Sequence, residues 1–381
     1  MALGFCPPIL AHLKAISECN TPSSKITPAG FLRLLVENNP QTRIINADHA
    51  LKLDDGSGHI RDLIVKYLKR AVPEQTSTSD DCEINNMNVY NELTIPATNY
   101  RKKTLLIADE DLSRYCADAT EMVRINGFPT PFMREFLDQI MVEANALIGA
   151  IDQDLLTLQA TRFGVNVHTG SNAAETVNFP GANAGVNNSF DDGMIHILQD
   201  AALNEVCGNL LIAGHGNFNA FTLQQAVACC NQLGIDSSRF TGFNFYPDLY
   251  SQDIWGTNHI GVFSQGSVGF VELNRYEGFR AGLKGTSQLF TMPLPIDCPQ
   301  CNGGYDSIDF DVQLRYIDCP TTVTICGEET TVRSGWALTL GKSFGLFNIP
   351  TDAYQNTAYG DCYTDRLSGN NGTLRFVITN D

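Results

Sequence analysis

Four cysteines come closest to a ligand set in this sequence. Cys298-Pro-Gln-Cys301 is a Cys-x-x-Cys knuckle, a spacing that lets two thiolates meet one ion, and Cys319 and Cys326 follow it. Together they form a candidate structural zinc site, although six residues separate the second pair where roughly two to four are usual. The other reading is reduced thiols behaving as small apolar side chains. That reading suits Cys116, Cys207, Cys229 and Cys230 among the 12 cysteines of the chain.

Other constellations are thinner. Gly214-His215-Gly216-Asn217 joins an expected strand to an expected helix, where free backbone N–H groups hold anions. Its spacing matches no phosphate-binding loop and no lysine follows, so a tight strand-to-helix connection explains the glycines. The histidines at 12, 49, 59, 168, 196, 215 and 259 never pair at helical metal-ligand spacing. Ser264-Gln265-Gly266-Ser267 approaches a nucleophile turn and reads better as a hairpin. Asp191/Asp192 and Glu328/Glu329 fall in expected loops as solvated pairs. Formal glycosylation triplets at Asn187 and Asn371 carry little weight in a chain whose start lacks a secretion signal. No catalytic group assembles from these parts, and the expectation is a non-enzyme.

Composition narrows the classes further. At 381 residues, 43% hydrophobic and 18% charged, the chain can bury a sizeable core in two or three lobes. No apolar run approaches the roughly 18–20 residues of a membrane span. The expectation is a protein made and used inside a cell, or in a particle assembled there. Its net charge of −17 is uneven: residues 1–108 hold 12 Lys/Arg against 11 Asp/Glu, and the remainder 13 against 31. So acidic a body should not coat nucleic acid tightly. Arg61, Lys66, Lys69 and Arg70, with Arg101, Lys102 and Lys103, form basic knots suited to a neighbouring copy's acidic surface; two solvated faces are the plainer alternative.

The elements that position these groups are organised around one helix. From Thr130 to Gly164 apolar residues recur every three or four positions, at Phe136/Leu137, Ile140/Met141, Ala144, Leu147/Ile148, Ile151, Leu155 and Leu158. Thr130 and Pro131 suit its start and Gly164 a left-handed stop, giving a helix over about 131–162 and on the order of 45–48 Å long. Arg134, Glu135, Asp138, Glu143, Asp152 and Asp154 mark its wetter side.

Before it come two short helices (9–18 and 27–38), then a hairpin around Asp54–Gly58. Strand-like runs follow at 88–95 and 104–108, and Asp109 can cap a helix to Ala119. After it, 163–188 is rich in Asn and Gly, with a strand-length piece at Gly164–Thr169. A helix at 193–205, strand at 209–213, helix at 222–233 and strand at 243–246 then make a small α/β lobe. From His259 onward the chain reads as strands.

This order of parts, with the phrases YRKKTLLIADEDLSRYCAD, GVFSQGSVGFVELNRYEG and FDVQLRYIDC…GLFNIP, resembles the major capsid proteins of tailed double-stranded DNA phages (Caudoviricetes), which have the Hong Kong 97-like fold. The resemblance implies an α+β chain with an N-terminal arm (1–41), an extended loop and flanking strands (42–108), a peripheral domain with the spine helix (109–190), an axial domain (191–350) and closing strands (351–381). It implies self-assembly as hexamers and pentamers into an icosahedral virion shell, built in the bacterial cytoplasm around double-stranded DNA held non-specifically. Portal and scaffold proteins would be partners and a membrane would not; no cofactor beyond the possible cysteine-bound zinc is implied. The family's crosslink is not carried over, because no Lys, Asn and Glu are matched to it. An encapsulin-like compartment shell, or a cytosolic α+β enzyme, is the alternative.

Overall fold

The computed structural model describes residues 26–28, 30–37, 43–45, 51–54, 60–68, 90–96, 99–108, 131–178, 189–204, 206, 210–215, 218, 243–274, 287–296, 307–317, 321–325, 328–332, 334–351, 355–357, 360–362 and 369–379. The elements are α1 (Gly30–Glu37), β1 (Arg43–Ile45), β2 (Leu51–Asp54), β3 (Ile60–Leu68), β4 (Tyr90–Pro96), β5 (Asn99–Ala108) and α2 (Pro131–Ala160). There follow β6 (Glu175–Asn178), α3 (Ser189–Leu203), β7 (Leu210–Gly214), β8 (Phe243–Pro247), α4 (Ser251–Ile254), β9 (His259–Phe263) and β10 (Val268–Leu273). The last are β11 (Ser287–Pro295), β12 (Ser307–Ile317), β13 (Thr321–Ile325), β14 (Glu328–Val332), β15 (Gly335–Asn348), β16 (Gln355–Thr357), β17 (Gly360–Cys362) and β18 (Thr373–Thr379). The fold is α+β. Among the described residues, no helix is long and apolar enough to cross a membrane.

Two units divide the chain. One comprises Met1–Pro28, Thr98–Ala150 and Glu272–Phe344; the other comprises Ala29–Ala97, Ile151–Val271 and Gly345–Asp381. In the first, β5, β15, β12 and β11 pair in that order, all antiparallel. Ile308, Phe310, Val312 and Leu314 alternate along β12 to one face. Register then sets apolar residues opposite one another: Phe290 with Val312, Met292 with Phe310, Leu294 with Ile308, Val312 with Leu340. Such cross-strand pairs are where a sheet gains most of its stability. Ile140, Met141, Ala144, Leu147 and Ile148 are the buried stripe of α2 in this unit.

In the second unit the sheet order is β6-β18-β9-β7-β8, with β6/β18 and β7/β8 parallel and the rest antiparallel. Every residue of β7 is buried, as a central strand covered on both faces requires. Met194, Ile197 and Ala201 of α3 pack with Ile212, Val262 and Phe376 into one core. A separate antiparallel sheet, β2-β3-β4, realises the expected hairpin and adds a third strand; a register shift between Leu53 and Asp54 leaves Arg61 as the extra residue.

Several expectations change. The helix ends at Ala160, and Gly164 is not its left-handed stop. Glycine is needed there for close approach: a Cβ would meet Asn371 Oδ1 at 2.5 Å and Asn371 N at 2.9 Å. Gly164–Thr169 forms no strand. Its backbone is spent on Gly164 N to Thr373 O (3.1 Å), Val165 N to Gly369 O (2.9 Å) and a turn closed by Gly170 N to Asn166 O (2.8 Å). Glu328 and Glu329 lie in β14 and Asp191 and Asp192 in α3, not in loops. Ser264–Ser267 is a tight turn, closed by Ser267 N on Ser264 O at 3.1 Å, but β9 and β10 belong to different sheets, so it is no hairpin. Asn371 is buried, its amide donating to Arg162 O at 2.9 Å and accepting from Thr373 Oγ1 at 2.6 Å, which suits it to structure and not to a glycan. The expected helices at 9–18, 109–119 and 222–233, and Thr130, lie outside the described residues.

Asp152 is the clearest reversal. Counted from periodicity on the wet side of α2, it is buried, and its Oδ1 accepts from Leu32 N at 2.6 Å. Asp248, also buried, accepts from Phe31 N at 2.8 Å, Tyr250 N at 2.8 Å and Ser251 N at 3.0 Å. Two carboxyl groups therefore satisfy the first free N–H groups of α1, where the helix dipole favours negative charge. Gly30 admits them: its φ is +62°, and a Cβ there would strike Asp248 Oδ2. Burial first, and then the charge and hydrogen bond of Asp248, hold the Asp152 pKa well above its ordinary 3.8, so this carboxyl keeps its proton where an unfolded one has lost it. The folded chain then binds more protons than the unfolded one above pH 3.8, and stability falls as pH rises through the raised pKa. Asp152→Asn, which keeps the acceptor for Leu32 and a donor for Asp248, is expected to gain stability relative to the parent between pH 5 and pH 8 and to flatten the slope. Urea midpoints at pH 5 and pH 8 measure it; an equal loss at both pH values would refute the shared proton.

Candidate metal centre

Glu175 opens β6 on the inward side of its alternation, one pleat before buried Val177 and opposite Phe376 of β18. On α3, His196 and Asp200 stand four residues apart, hence on one face. Asn204, one further turn along, is buried and ties the helix to the preceding loop. Its amide donates to Asn166 Oδ1 at 2.8 Å and Asp200 O at 2.7 Å, and its Oδ1 accepts from Val167 N at 2.9 Å. Asn166 in turn donates to Glu175 Oε2 and, at 3.3 Å, to Asp200 Oδ2, and accepts from His168 N at 3.0 Å. This amide network presents the His168 ring to the same spot.

Four ligand atoms thereby converge within 4.8 Å of one another, from His168, Glu175, His196 and Asp200. His168 Nδ1 is 3.1 Å from Glu175 Oε1 and 3.2 Å from Asp200 Oδ1, and His196 Nε2 is 3.0 Å from Glu175 Oε1 and 3.7 Å from Asp200 Oδ2. The carboxylates are buried at 8% and 2% exposure, whereas the imidazoles remain 55% and 39% exposed. Burial, followed by its hydrogen bond with Asp200, raises the pKa of Glu175 above its ordinary value.

Sequence spacing pointed elsewhere. Cys298, Cys301, Cys319 and Cys326 lie outside the described residues, as do Lys69, Arg70, Cys116, Cys207, Cys229, Cys230, Gly216 and Asn217. Arg61 and Lys66 are in β3, Lys66 in register with Glu92. Arg101, Lys102 and Lys103 are exposed on β5, which among the described residues pairs with β15 alone. Cations on an edge strand oppose further pairing. Lys103 Nζ also lies 3.3 Å from Glu143 Oε2 of α2, so this lysine finds an acid within its own chain. The histidines indeed share no helical spacing, yet the fold brings His168 and His196 together across 28 positions, and the local signal was the i, i+4 spacing of His196 and Asp200.

No protein-family description and no curated protein matches the chain. Solved structures do. The capsid structure of cyanophage P-SCSP1u is 11% identical, over 95% of this chain and 91% of that one, at a TM-score of 0.43. The capsid asymmetric unit of cyanophage A-1(L) is 12% identical over 88% and 95%, at 0.43, and a chain of Mycobacterium phage Adephagia 12% identical over 95% and 92%, at 0.42. These three solved structures are all from phages, and two of the three are described as capsids.

Proposed function

We propose that the chain is the major capsid protein of a tailed double-stranded DNA phage, with a Hong Kong 97-like fold. It is a structural protein and not an enzyme. The observation that carries the reading is the order of parts: a short helix, a separate three-stranded antiparallel sheet from residues 51–96, a 30-residue helix of about 45 Å, then most strands of two larger sheets. On this reading 1–41 is an arm, 42–108 an extended loop with flanking strands, 109–190 a peripheral domain around α2, 191–350 an axial domain and 351–381 closing strands. Copies assemble as hexamers and pentamers into an icosahedral shell in the host cytoplasm, with portal and scaffold partners and packaged DNA contacted non-specifically. The charge division supports copy-to-copy contact, since a near-neutral front third can meet a strongly acidic remainder.

Sedimentation and electron microscopy of the purified full chain test this. Closed particles of megadalton size, or capsomers, are expected; a monodisperse monomer at millimolar-range concentration would end the proposal. Within it, Arg61, Lys66, Lys69 and Arg70 rest on an acidic surface of the next copy. Reversing all four charges is expected to lower particle yield and remove most of its salt sensitivity. Unchanged yield and salt response would show that these residues are only solvated.

A further inference from the structure

We infer that His168, Glu175, His196 and Asp200 form a binding site for one first-row transition cation of the zinc class, a site that the shell reading neither requires nor explains. Geometry is the first support. Zinc binds imidazole nitrogen and carboxylate oxygen at roughly 2.0–2.1 Å, which in a tetrahedron sets donors about 3.3 Å apart. The four nitrogen–oxygen separations run from 3.0 to 3.7 Å, with Asp200 presenting Oδ1 to His168 and Oδ2 to His196, and the four ligand atoms as a set lie within 4.8 Å, so the side chains close in modestly on the ion.

Charge is the second support. Glu175 and Asp200 are buried side by side, and among the described residues the basic side chains within 4 Å of them are the two imidazoles. A divalent cation neutralises two carboxylates while leaving both imidazoles neutral, the form in which they ligate. Orientation is the third. Asn166 already holds an oxygen of each carboxylate, and Asn204 holds Asn166, so outer hydrogen bonds aim the ligands as metal centres require. Two imidazoles select zinc, cobalt or nickel over magnesium and calcium, which take oxygen. The bound ion would fasten the 166–171 turn and β6 to α3, a structural role.

The full chain, freed of metal by chelator and dialysis, is titrated separately with zinc, cobalt and magnesium chlorides. The variant His168→Gln/His196→Gln is treated alike; both rings are substantially exposed, and His168→Gln alone serves if the double variant unfolds. Zinc in large excess of its dissociation constant is expected to raise the parent's melting temperature by roughly 5–10 °C, and magnesium to leave it unchanged. The variant should bind one equivalent less and lose that shift. The cysteine knuckle is a separate zinc candidate, and cobalt separates the two: this site gives the visible bands of tetrahedral cobalt without a cobalt–thiolate charge-transfer band. Equal zinc stoichiometry and equal shifts in parent and variant, or loss of only the thiolate band in the variant, would overturn the assignment.

Discussion

Lys342→Met is expected to destabilise the unit built on β15 by about 3–5 kcal/mol, a large fraction of what a domain of this size has. The Lys342 side chain is fully buried, and its Nζ donates to Glu272 Oε2 at 2.6 Å and Asn274 Oδ1 at 3.2 Å. Asn274 donates onward to Asp309 Oδ2 at 2.9 Å, and Asp309 N reaches Glu272 Oε2 at 3.4 Å. Water is excluded, so Glu272 at 1% exposure depends on the ammonium for its charge balance. Removing one partner leaves the other buried without it, which costs far more than an exposed pair's ~0–1 kcal/mol. The double replacement Lys342→Met/Glu272→Leu is expected to recover most of the loss, because neither fully buried charge of the pair is then left without the other. The two tryptophans give a clean readout: Trp336 lies in this unit and Trp255 in the other. In a Trp255→Phe background, the urea midpoint of Trp336 emission follows the affected unit alone. A single-variant loss below about 1 kcal/mol would mean the pair is no more than a surface contact in effect.

Lys342 illustrates what could and could not be read beforehand. Its strand was legible, since ALTLGKSFGLFNIP is apolar on both sides of the alternation, as a doubly covered strand must be. Its partner was not, because Glu272 lies 70 positions earlier and a lone lysine in an apolar run carries no sign of what neutralises it. The same contrast holds throughout. Helix α2 was visible because its periodicity is local, and its end was overstated by two residues because Gly164 serves a contact with Asn371 instead of a cap. β5 was expected only over Thr104–Ala108, yet pairing with β15 extends it back to Asn99 through the three cations. Asp152 looked like a surface charge on a helical wheel; the N-terminus of α1, 120 residues earlier, brings it inside. His168, Glu175 and the His196/Asp200 pair come from a turn, a strand and a helix, so no spacing rule would have gathered them. Short-range patterns specify elements, whereas buried polar groups are specified by partners that only the tertiary fold supplies.

Trp255→Ala should cost the second unit about 3–5 kcal/mol, the range for emptying a large buried aromatic. Trp255 is 2% exposed at the end of α4, in edge-on contact with Phe31 at 5.8 Å and Phe163 at 5.3 Å and within 6.3 Å of Phe263. Those rings come from α1, the turn after α2 and β9, so one side chain joins three segments distant in sequence. Its indole Nε1 donates to Leu156 O at 2.9 Å, and its carbonyl accepts from Arg375 Nη2 of β18. Arg375 also lies 5.8 Å above the Phe163 ring, and burial lowers its pKa from the ordinary guanidinium value. Trp255→Phe retains most of the ring volume and loses the indole donor, so a cost of roughly 1–2 kcal/mol is expected for it. Because either substitution removes the fluorophore, hydrogen exchange of the β9 and β18 amides is the suitable measurement. Packing as the main contribution requires alanine to exceed phenylalanine by at least about 1.5 kcal/mol. Equal losses would assign the stabilisation to the Leu156 hydrogen bond, and a loss under about 1 kcal/mol for alanine would mean the aromatic cluster closes without Trp255.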